Sequence, residues 1–201
     1  MVENEENHSL IQKARLGDRQ AQGLLVEYWY KRVYNFALKL LGDHDQAMDV
    51  SQRTFITMYQ KIEKLRECGK FKSWLYTILV NQCREEKRQG GSSRFHLLAS
   101  PDPDRIKGGV PEEITEALPN PEEKLINGEL EKSLKNALQL LPEEQRIILI
   151  MKEYEGLKFR EIAEALNIPE NTAKSRLYYA FQNMRKILTK EAIEYVKYRR
   201  S

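Results

Sequence analysis

Seven polar and aromatic side chains between residues 171 and 179 have the types that bind nucleic acid. They are Asn171, Thr172, Lys174, Ser175, Arg176, Tyr178 and Tyr179. Asparagine and lysine can hydrogen-bond to base edges, whereas Thr172, Ser175 and Arg176 could equally hold phosphate oxygens. The segment predicts a DNA-binding surface; the alternative is the solvated face of an ordinary amphipathic helical hairpin.

Two helices are predicted to position these side chains. The first runs from about Arg160 to Leu166 and turns Ile162, Ala163 and Leu166 inward, and a short turn at Asn167–Pro169 follows, with Ile168 in the core. The second helix then buries apolar residues at spacings of four and three, namely Ala173, Leu177, Ala180 and Met184. This is the pattern of a helix-turn-helix, whose second helix enters the major groove of DNA.

A second group of polar residues lies on another predicted helix. Asp45, Asp49 and Gln52 are spaced at i, i+4 and i+7, which places them on one helical face. Two carboxylates suggest a metal site or an acid–base pair, but no histidine or third carboxylate completes the set on that face, which disfavours both. A solvated face remains the alternative to a docking surface.

A third group is basic and follows a predicted loop between residues 64 and 72. Asn81, Arg84 and Arg88 are spaced to line one side of the next helix, where the amide could bond a base and the arginines could grip phosphate. Trp74 is more typical of the core than of a stacking platform, since Leu75 and Ile78 accompany it.

No pattern of an enzyme is present. The sequence has no phosphate-cradling glycine loop and no nucleophile with a base at a recognisable spacing. Cys68 and Cys83 do not form a zinc pattern with the three histidines and are predicted to be reduced thiols. We therefore expect no catalytic site, metal or cofactor.

The chain divides into three blocks. Residues 1–89 and 125–201 carry apolar residues at helical spacing, and no segment has the period of a strand. Residues 90–124 contain five prolines, paired glycines and the acids between Asp102 and Glu123, which indicates a linker. The predicted fold is all-α, with two small helical domains joined by a flexible acidic linker.

Local signals give some helix ends. Ser9 and Gln12 suggest a capping box at the first helix, Gly42 suits a left-handed C-cap, and Asp43 suits the N-cap of the next helix. The 33 basic and 30 acidic residues give a net charge of only +3. There is neither a signal peptide pattern nor an apolar run of about 20 residues, so we expect a soluble, cytoplasmic protein.

Four motifs resemble those of the extracytoplasmic-function (ECF) group of bacterial sigma factors, in the same order and separated by a similar linker. They span Gly17 to Ala21, Asp45 to Phe55, Phe71 to Arg88, and Leu157 to Leu177. The first domain would correspond to sigma region 2 and the second to the helix-turn-helix of region 4.

The resemblance implies a transcription initiation factor that binds core RNA polymerase and directs it to the −10 and −35 promoter elements. Asp45, Asp49, Gln52 and Phe55 would bind the clamp helices of the largest subunit, and the second domain would contact the flap region of the second-largest subunit. Binding and melting of the upstream promoter element would fall to Lys70, Phe71, Lys72, Trp74, Asn81, Arg84 and Arg88. Many relatives also have an anti-sigma partner.

The acidic linker has two interpretations. It is either a soluble tether or, as the resemblance implies, a segment that enters the nucleic-acid channels of the polymerase. The departures from the family pattern are Gln22, Met48, Arg53, Glu85, Asn171, Ala173 and Tyr179. The last three touch the recognition helix, where we expect promoter preference to be unusual.

The competing hypothesis is a two-domain helix-turn-helix regulator that acts without polymerase and uses its N-terminal helices to sense a ligand or dimerise. It accounts for the second domain but leaves the motifs at Asp45–Phe55 and Phe71–Arg88 unexplained. Opening ten base pairs costs on the order of 14 kcal/mol, and stacking returns about 1–3 kcal/mol per captured base. With few aromatic residues available, the free protein is expected to bind DNA weakly and to need the polymerase for melting.

Overall fold

The structure is a computed structural model that describes the backbone of residues 2–93 and 121–199 and the side chains of 8–89, 128 and 130–190. The side chains of the acidic segment from Asp102 to Glu123 lie outside these residues. Within the described ranges every regular element is helical, which confirms the all-α prediction. The helices are α1 (Val2–Arg15), α2 (Arg19–Leu41), α3 (His44–Lys61), α4 (Phe71–Ser93), α5 (Pro121–Leu140), α6 (Glu143–Leu149), α7 (Phe159–Leu166) and α8 (Glu170–Arg199).

The α2–α3 turn follows the local signals in the sequence. Gly42 adopts φ 76° and its N–H donates to the Leu38 carbonyl at 2.8 Å, which is the expected left-handed C-cap. The Asp43 carboxylate accepts a hydrogen bond from the Gln46 N–H at 3.0 Å and caps α3. Both predicted caps are confirmed, and they reverse the chain within two residues.

The start of α1 differs from the sequence-based prediction. Helix α1 begins at Val2, so Ser9 lies inside the helix and the predicted capping box is wrong. The helix that follows is capped instead by Asp18, whose carboxylate accepts from the Gln20 and Ala21 N–H groups at 2.9 and 3.1 Å. The buried Gln22, an unusual residue for the family, donates to the Ala14 carbonyl at 3.0 Å and ties α2 to α1.

The first half, α1–α4, packs around four aromatic rings. Trp29 lies 5.7 Å from Phe71 between ring centroids, and Phe36 lies 5.3 Å from Tyr76. All four side chains are buried, and each removes a large apolar area from water. Leu24 and Tyr28, which share the helical periodicity of α2, are instead exposed.

The second half, α5–α8, contains the predicted helix-turn-helix. The α7–α8 turn passes through Asn167 at φ 52°, a left-handed conformation that asparagine tolerates better than most residues. Ala173, Leu177 and Ala180 are buried as predicted, and Met184 is partly buried. On α7, however, Ala165 rather than Ala163 accompanies Ile162 into the core.

The helices extend into the predicted linker at both ends. Helix α4 continues to Ser93 and α5 begins at Pro121, whereas the sequence placed the linker at residues 90–124. The two halves also pack against each other, with α4 beside α7 and the end of α2 beside α5 and α6. Their buried residues form one continuous cluster, which the sequence did not predict. No helix among the described residues combines the length and apolar character needed to cross a membrane.

Candidate polymerase and nucleic-acid interfaces

The outer face of α3 carries the predicted docking residues. Asp45, Asp49 and Gln52 are all exposed on it, and the Asp45 side chain is 99% accessible. Phe55 is the exception, because it is 5% exposed and packs in the core of the first half. Phe55 therefore packs beneath the exposed face of α3 and is not available to contact a partner.

Sequence reasoning missed the apolar part of the α3 face. Met48, Ile56 and Tyr59 are 40–48% exposed, and the helical period places them beside the three polar residues. We call the six residues the α3 strip: Asp45, Met48, Asp49, Gln52, Ile56 and Tyr59. Exposed apolar side chains bordered by polar ones are typical of protein–protein contact surfaces. The signal was available in the sequence, since Ile56 and Tyr59 follow Gln52 at i+4 and i+7.

Arg53, which departs from the family pattern, does not belong to the α3 strip. Its guanidinium forms an ion pair with Glu86 of α4. Arg53 therefore helps to hold α3 against α4, and its positive charge is compensated inside the first half.

Helix α4 carries the predicted basic face. Asn81 and Arg88 are exposed, and Arg84 is partly exposed. They line an open depression of about 730 Å³ together with Gln82, Glu85, Lys87 and Glu143. Lys87 was not among the predicted site residues, although it lies three residues after Arg84 on the same side of the helix. The depression brings five nitrogen-bearing side chains together.

Three cations of α4 already form ion pairs with acidic residues. Lys87 Nζ lies 3.1 Å from a Glu143 carboxylate oxygen, and Arg84 Nε lies 3.7 Å from the other oxygen. Arg88 pairs with Glu85 of its own helix at 2.5 Å. Glu143 is the first residue of α6, so it reaches this face from the second half of the chain.

The segment from Lys70 to Trp74 is more buried than the sequence predicted. Phe71 is 1% exposed and packs against Trp29, so it supports the segment and offers no surface. Trp74 is partly buried and packs against the core, as its apolar neighbours suggested. Only Lys70 is well exposed. Within this segment, Lys70 is therefore the residue best placed to meet a ligand directly.

Lys72 is half-buried, and its ammonium group contacts the second half of the chain. Its Nζ donates to the Glu155 carbonyl at 2.7 Å, and burial lowers the pKa of its ammonium group. Glu155 also accepts a hydrogen bond from the hydroxyl of buried Tyr76. Burial, followed by the nearby Glu155 carboxylate, raises the pKa of Tyr76 far above its usual value.

The recognition helix α8 presents most of its predicted DNA-binding residues to solvent. Asn171, Lys174, Ser175, Tyr178 and Tyr179 are exposed. The two tyrosine rings meet edge to face with centroids 5.6 Å apart. Together they form an aromatic ridge beside the polar residues.

Two cations of α8 are held within the second half. Lys174 Nζ lies 2.7 Å from Glu170 and 5.7 Å from the Phe159 ring centroid. Arg176 forms an ion pair with Glu144 of α6. Thr172 is partly buried, and its carbonyl accepts a hydrogen bond from the Ser175 hydroxyl at 3.1 Å. These contacts orient the side chains along the exposed face.

The cysteines have the environment of structural thiols. Both are free and buried, and burial raises the pKa of Cys83 to about 12. Among the described residues, no group of three histidine, cysteine or acidic side chains is arranged to hold a metal ion.

Comparison with known proteins assigns each half of the chain to a region of the sigma-70 family. The family model for sigma-70 region 2 matches residues 25–92, and the model for sigma-70 region 4 matches residues 131–184. The RNA polymerase sigma-H factor of Pseudomonas aeruginosa is 26% identical over 94% of this chain and 96% of its own length. The ECF RNA polymerase sigma-E factor of Haemophilus influenzae is 28% identical over 90% of this chain and 94% of its own length. The chain belongs to the ECF sigma factor family.

A solved structure supports the fold of this ECF sigma factor. CnrH, crystallised in complex with the cytosolic domain of CnrY, is 17% identical, and the match covers 91% of this chain and 97% of CnrH with a TM-score of 0.64. At that identity the likeness concerns the fold alone. Members of the family are transcription initiation factors that direct RNA polymerase, and they are not enzymes.

Proposed function

We propose that this ECF sigma factor docks on core RNA polymerase through the α3 strip, with the clamp helices of the largest subunit as its partner. The basic face of α4 and the exposed face of α8 then hold the −10 and −35 promoter elements. The second half contacts the flap region of the second-largest subunit. Residues 1–89 and 125–201 act as the two domains, and residues 90–124 act as the connection between them.

The α3 strip carries this proposal, because it gives the first half an exposed surface suited to a protein partner. The strip combines two exposed carboxylates with three exposed apolar side chains, a composition suited to a stable protein contact. It also lies on α3, a different helix from α4 and α8, which carry the cations proposed to bind DNA. Protein docking and DNA binding can therefore occur at the same time.

The basic faces complement the docking surface. On α4, Asn81, Arg84 and Arg88 surround an open depression, and Lys70 is exposed near the start of that helix. On α8, Asn171 and Lys174 are exposed at the N-terminal end of the recognition helix, the part that meets base edges in helix-turn-helix proteins. We propose that the protein binds and melts promoter DNA in the cytoplasm.

The decisive experiment is co-purification with core polymerase followed by run-off transcription. Asp45→Lys together with Asp49→Lys reverses the charge of the α3 strip and is expected to lower core binding at least tenfold. Glu27→Lys together with Glu63→Lys changes the same number of exposed acids elsewhere on the first half and serves as the matched control. Equal binding by both variants would show that the polymerase docks elsewhere.

The same experiment separates the competing regulator hypothesis. A sigma factor supports initiation with core polymerase and binds DNA weakly alone, because its free contacts are mainly with phosphate. Failure to bind core polymerase, combined with nanomolar sequence-specific binding at physiological salt, would favour the regulator.

An anti-sigma partner is the remaining part of the proposal. The similar CnrH structure is a complex with the cytosolic domain of CnrY, and a second fold relative, RpoE of Bartonella quintana, was solved with the anti-sigma factor NepR. By analogy, a protein partner would bind the exposed apolar side chains of this chain and hide its polymerase-binding faces. Co-expression pull-down from the native host tests this directly.

The acidic segment from Asp102 to Glu123 is proposed to enter the nucleic-acid channels of the polymerase. Replacing its acids with Ser or Asn is expected to lower initiation without changing promoter choice. Unchanged initiation would identify the segment as a simple tether.

A further inference from the structure

The aromatic ring of Phe159 contacts lysines from two different elements. Lys152, in the helical segment before α7, places its Nζ 5.1 Å from the ring centroid, and Lys174 of α8 places its Nζ 5.7 Å from it. An ammonium group within about 6 Å of a ring centroid is attracted electrostatically by the ring. Phe159 therefore links the segment before α7 to the recognition helix through two cation–π contacts.

Local contacts hold the ring in place. Phe159 is the first residue of α7, and its partly buried side chain packs against the core. The preceding residue is held by the Glu161 carboxylate, which accepts a hydrogen bond from the Lys158 N–H at 2.6 Å. Lys152 Nζ also donates to the Leu157 carbonyl at 3.3 Å, which fixes the backbone just before α7. The ring is therefore positioned by its own helix and by the segment that precedes it.

The two lysines on the ring differ in their other contacts. Lys152 is partly buried, and its ammonium group already donates to a backbone carbonyl. Lys174 is half-exposed, and the contacts that the structure shows for it are the ring and the Glu170 carboxylate at 2.7 Å. A carboxylate competes with DNA for the donors of an ammonium group, whereas an aromatic ring carries no net charge. Phe159 can therefore position Lys174 without neutralising it.

A positioned ammonium group is an advantage for reading bases. The lysine side chain has a flexible four-carbon stem, and ordering such a side chain at an interface costs conformational entropy. A lysine that is already held near its bound position loses less entropy. In the major groove lysine binds the O6 and N7 acceptors of guanine, whereas a phosphate contact carries no sequence information. Loss of the ring should therefore weaken discrimination at one base pair more than it weakens binding to all sequences.

We propose that Phe159 is a positioning residue for promoter recognition, whose ring holds the Lys174 ammonium group at the edge of a guanine in the −35 element. Lys174 makes the base contact, and Phe159 acts through it without touching DNA. This inference rests on the proposed function, in which the exposed face of α8 binds the −35 element. It adds a residue of α7, the first helix of the helix-turn-helix, to those that determine base preference.

An NMR measurement tests the contact without polymerase or DNA. In the full chain labelled with 13C-lysine, the ring current of Phe159 is expected to move the ε-methylene protons of Lys174 upfield of those of exposed lysines, and Lys174→Arg assigns the signal. Phe159→Leu keeps an apolar side chain but removes the ring, so it should return the signal to the range of exposed lysines. Phe181→Leu removes an exposed ring of α8 for which the structure shows no lysine contact, and is the matched control. An unshifted signal in the unaltered protein, or the same signal in both phenylalanine variants, would overturn the contact.

Run-off transcription with core polymerase, from promoters randomised across the −35 element, measures the effect on base preference. Lys174→Met is expected to abolish the preference for guanine at one base pair. Phe159→Leu is expected to reduce the same preference about twofold to fivefold, the range for one exposed cation–π contact. The double variant should behave as Lys174→Met alone, because the ring acts only through that lysine. Phe159→Tyr keeps an aromatic ring and should retain the preference.

These outcomes separate a positioning role from a structural one. Damage to the fold lowers transcription from every sequence alike, so a uniform loss in Phe159→Leu would overturn the proposal. A further loss of preference in the double variant, or a Phe159→Tyr variant that behaves like Phe159→Leu, would also count against it. If the unaltered protein does not start transcription with core polymerase, the proposed function fails. If it does, and Phe159→Leu keeps the full preference for guanine, only the role of Phe159 is overturned.

Discussion

Two neighbouring acids at the start of α6 reach the two DNA-binding helices in different ways. Glu143 pairs with Arg84 and Lys87 of α4, in the other half of the chain, whereas Glu144 pairs with Arg176 of α8, in its own half. The first contact breaks when the halves separate, but the second does not. Charge compensation on α4 is therefore linked to domain separation, and charge compensation on α8 is a fixed property of the second half.

The largest expected effect concerns the buried arginine at the junction of the halves. Arg146 is 8% exposed and donates to the Leu40, Gln139 and Leu141 carbonyls. Arg146→Gln leaves several of these acceptors unsatisfied, which is expected to lower the free energy of unfolding by about 3 kcal/mol. Urea denaturation measures the free energy of unfolding, and Arg160→Gln, at an exposed position, is the control. A loss below about 1 kcal/mol would mean that water replaces the guanidinium freely.

The next effect concerns base recognition by α8, which does not depend on separation. Asn171 is exposed at the start of the recognition helix. Asn171→Ala is expected to cost about 1–3 kcal/mol of discrimination at one base pair of the −35 element. Run-off transcription from promoters randomised there measures it. Gln182→Ala, on the exposed part of the same helix, should leave the preference unchanged; a uniform loss at every sequence would instead assign Asn171 to phosphate.

The features that the sequence predicted correctly are those that depend on interactions between residues close together in the chain. Gly42 and Asp43 were found correctly because a cap depends on a few adjacent residues. The buried face of α8 was predicted from helical period, and so was the polar part of the α3 strip. Phe55 and Phe71 were assigned to binding surfaces from family motifs, but both side chains are buried in the core.

The contacts of Glu143 and Glu155 lay beyond the reach of sequence reasoning. They depend on how two domains dock after a long intervening segment, and neither acid has a local pattern that distinguishes it from solvated glutamates. Lys72 illustrates the same limit: its sequence context suggests a DNA contact, but its ammonium group is bonded to the Glu155 carbonyl.

A smaller effect, on DNA binding, should distinguish Arg84 from Arg88 of α4. Arg84 contacts the second half of the chain, whereas the structure shows no such contact for Arg88. Arg88 pairs only with Glu85 of its own helix among the contacts shown, whereas Arg84 faces Glu143. In DNA binding by the free protein, Arg88→Gln is expected to lower the slope of log K against log salt by about 0.9. Arg84→Gln should change it less, because Glu143 already competes with phosphate there. Equal slopes would show that Glu143 does not shield Arg84 from phosphate.

The smallest effect is expected from Glu144, whose pairing with Arg176 stays within one half. Glu144→Gln releases the guanidinium toward phosphate and is expected to tighten −35 DNA binding by no more than about threefold to fivefold, because a partly exposed ion pair contributes about 1 kcal/mol or less. Energy transfer between dyes on cysteines introduced at exposed Gln60 and Gln182 should stay unchanged. Glu143→Gln, which removes the partner of Arg84 and Lys87, should lower it. Since these two acids are adjacent, both variants alter the charge near the start of α6 in the same way, and any difference in domain separation must come from the residues they contact. If the Glu144 variant lowered the energy transfer as well, the end of α6 itself, rather than the ion pairs to α4, would control the packing of the two halves.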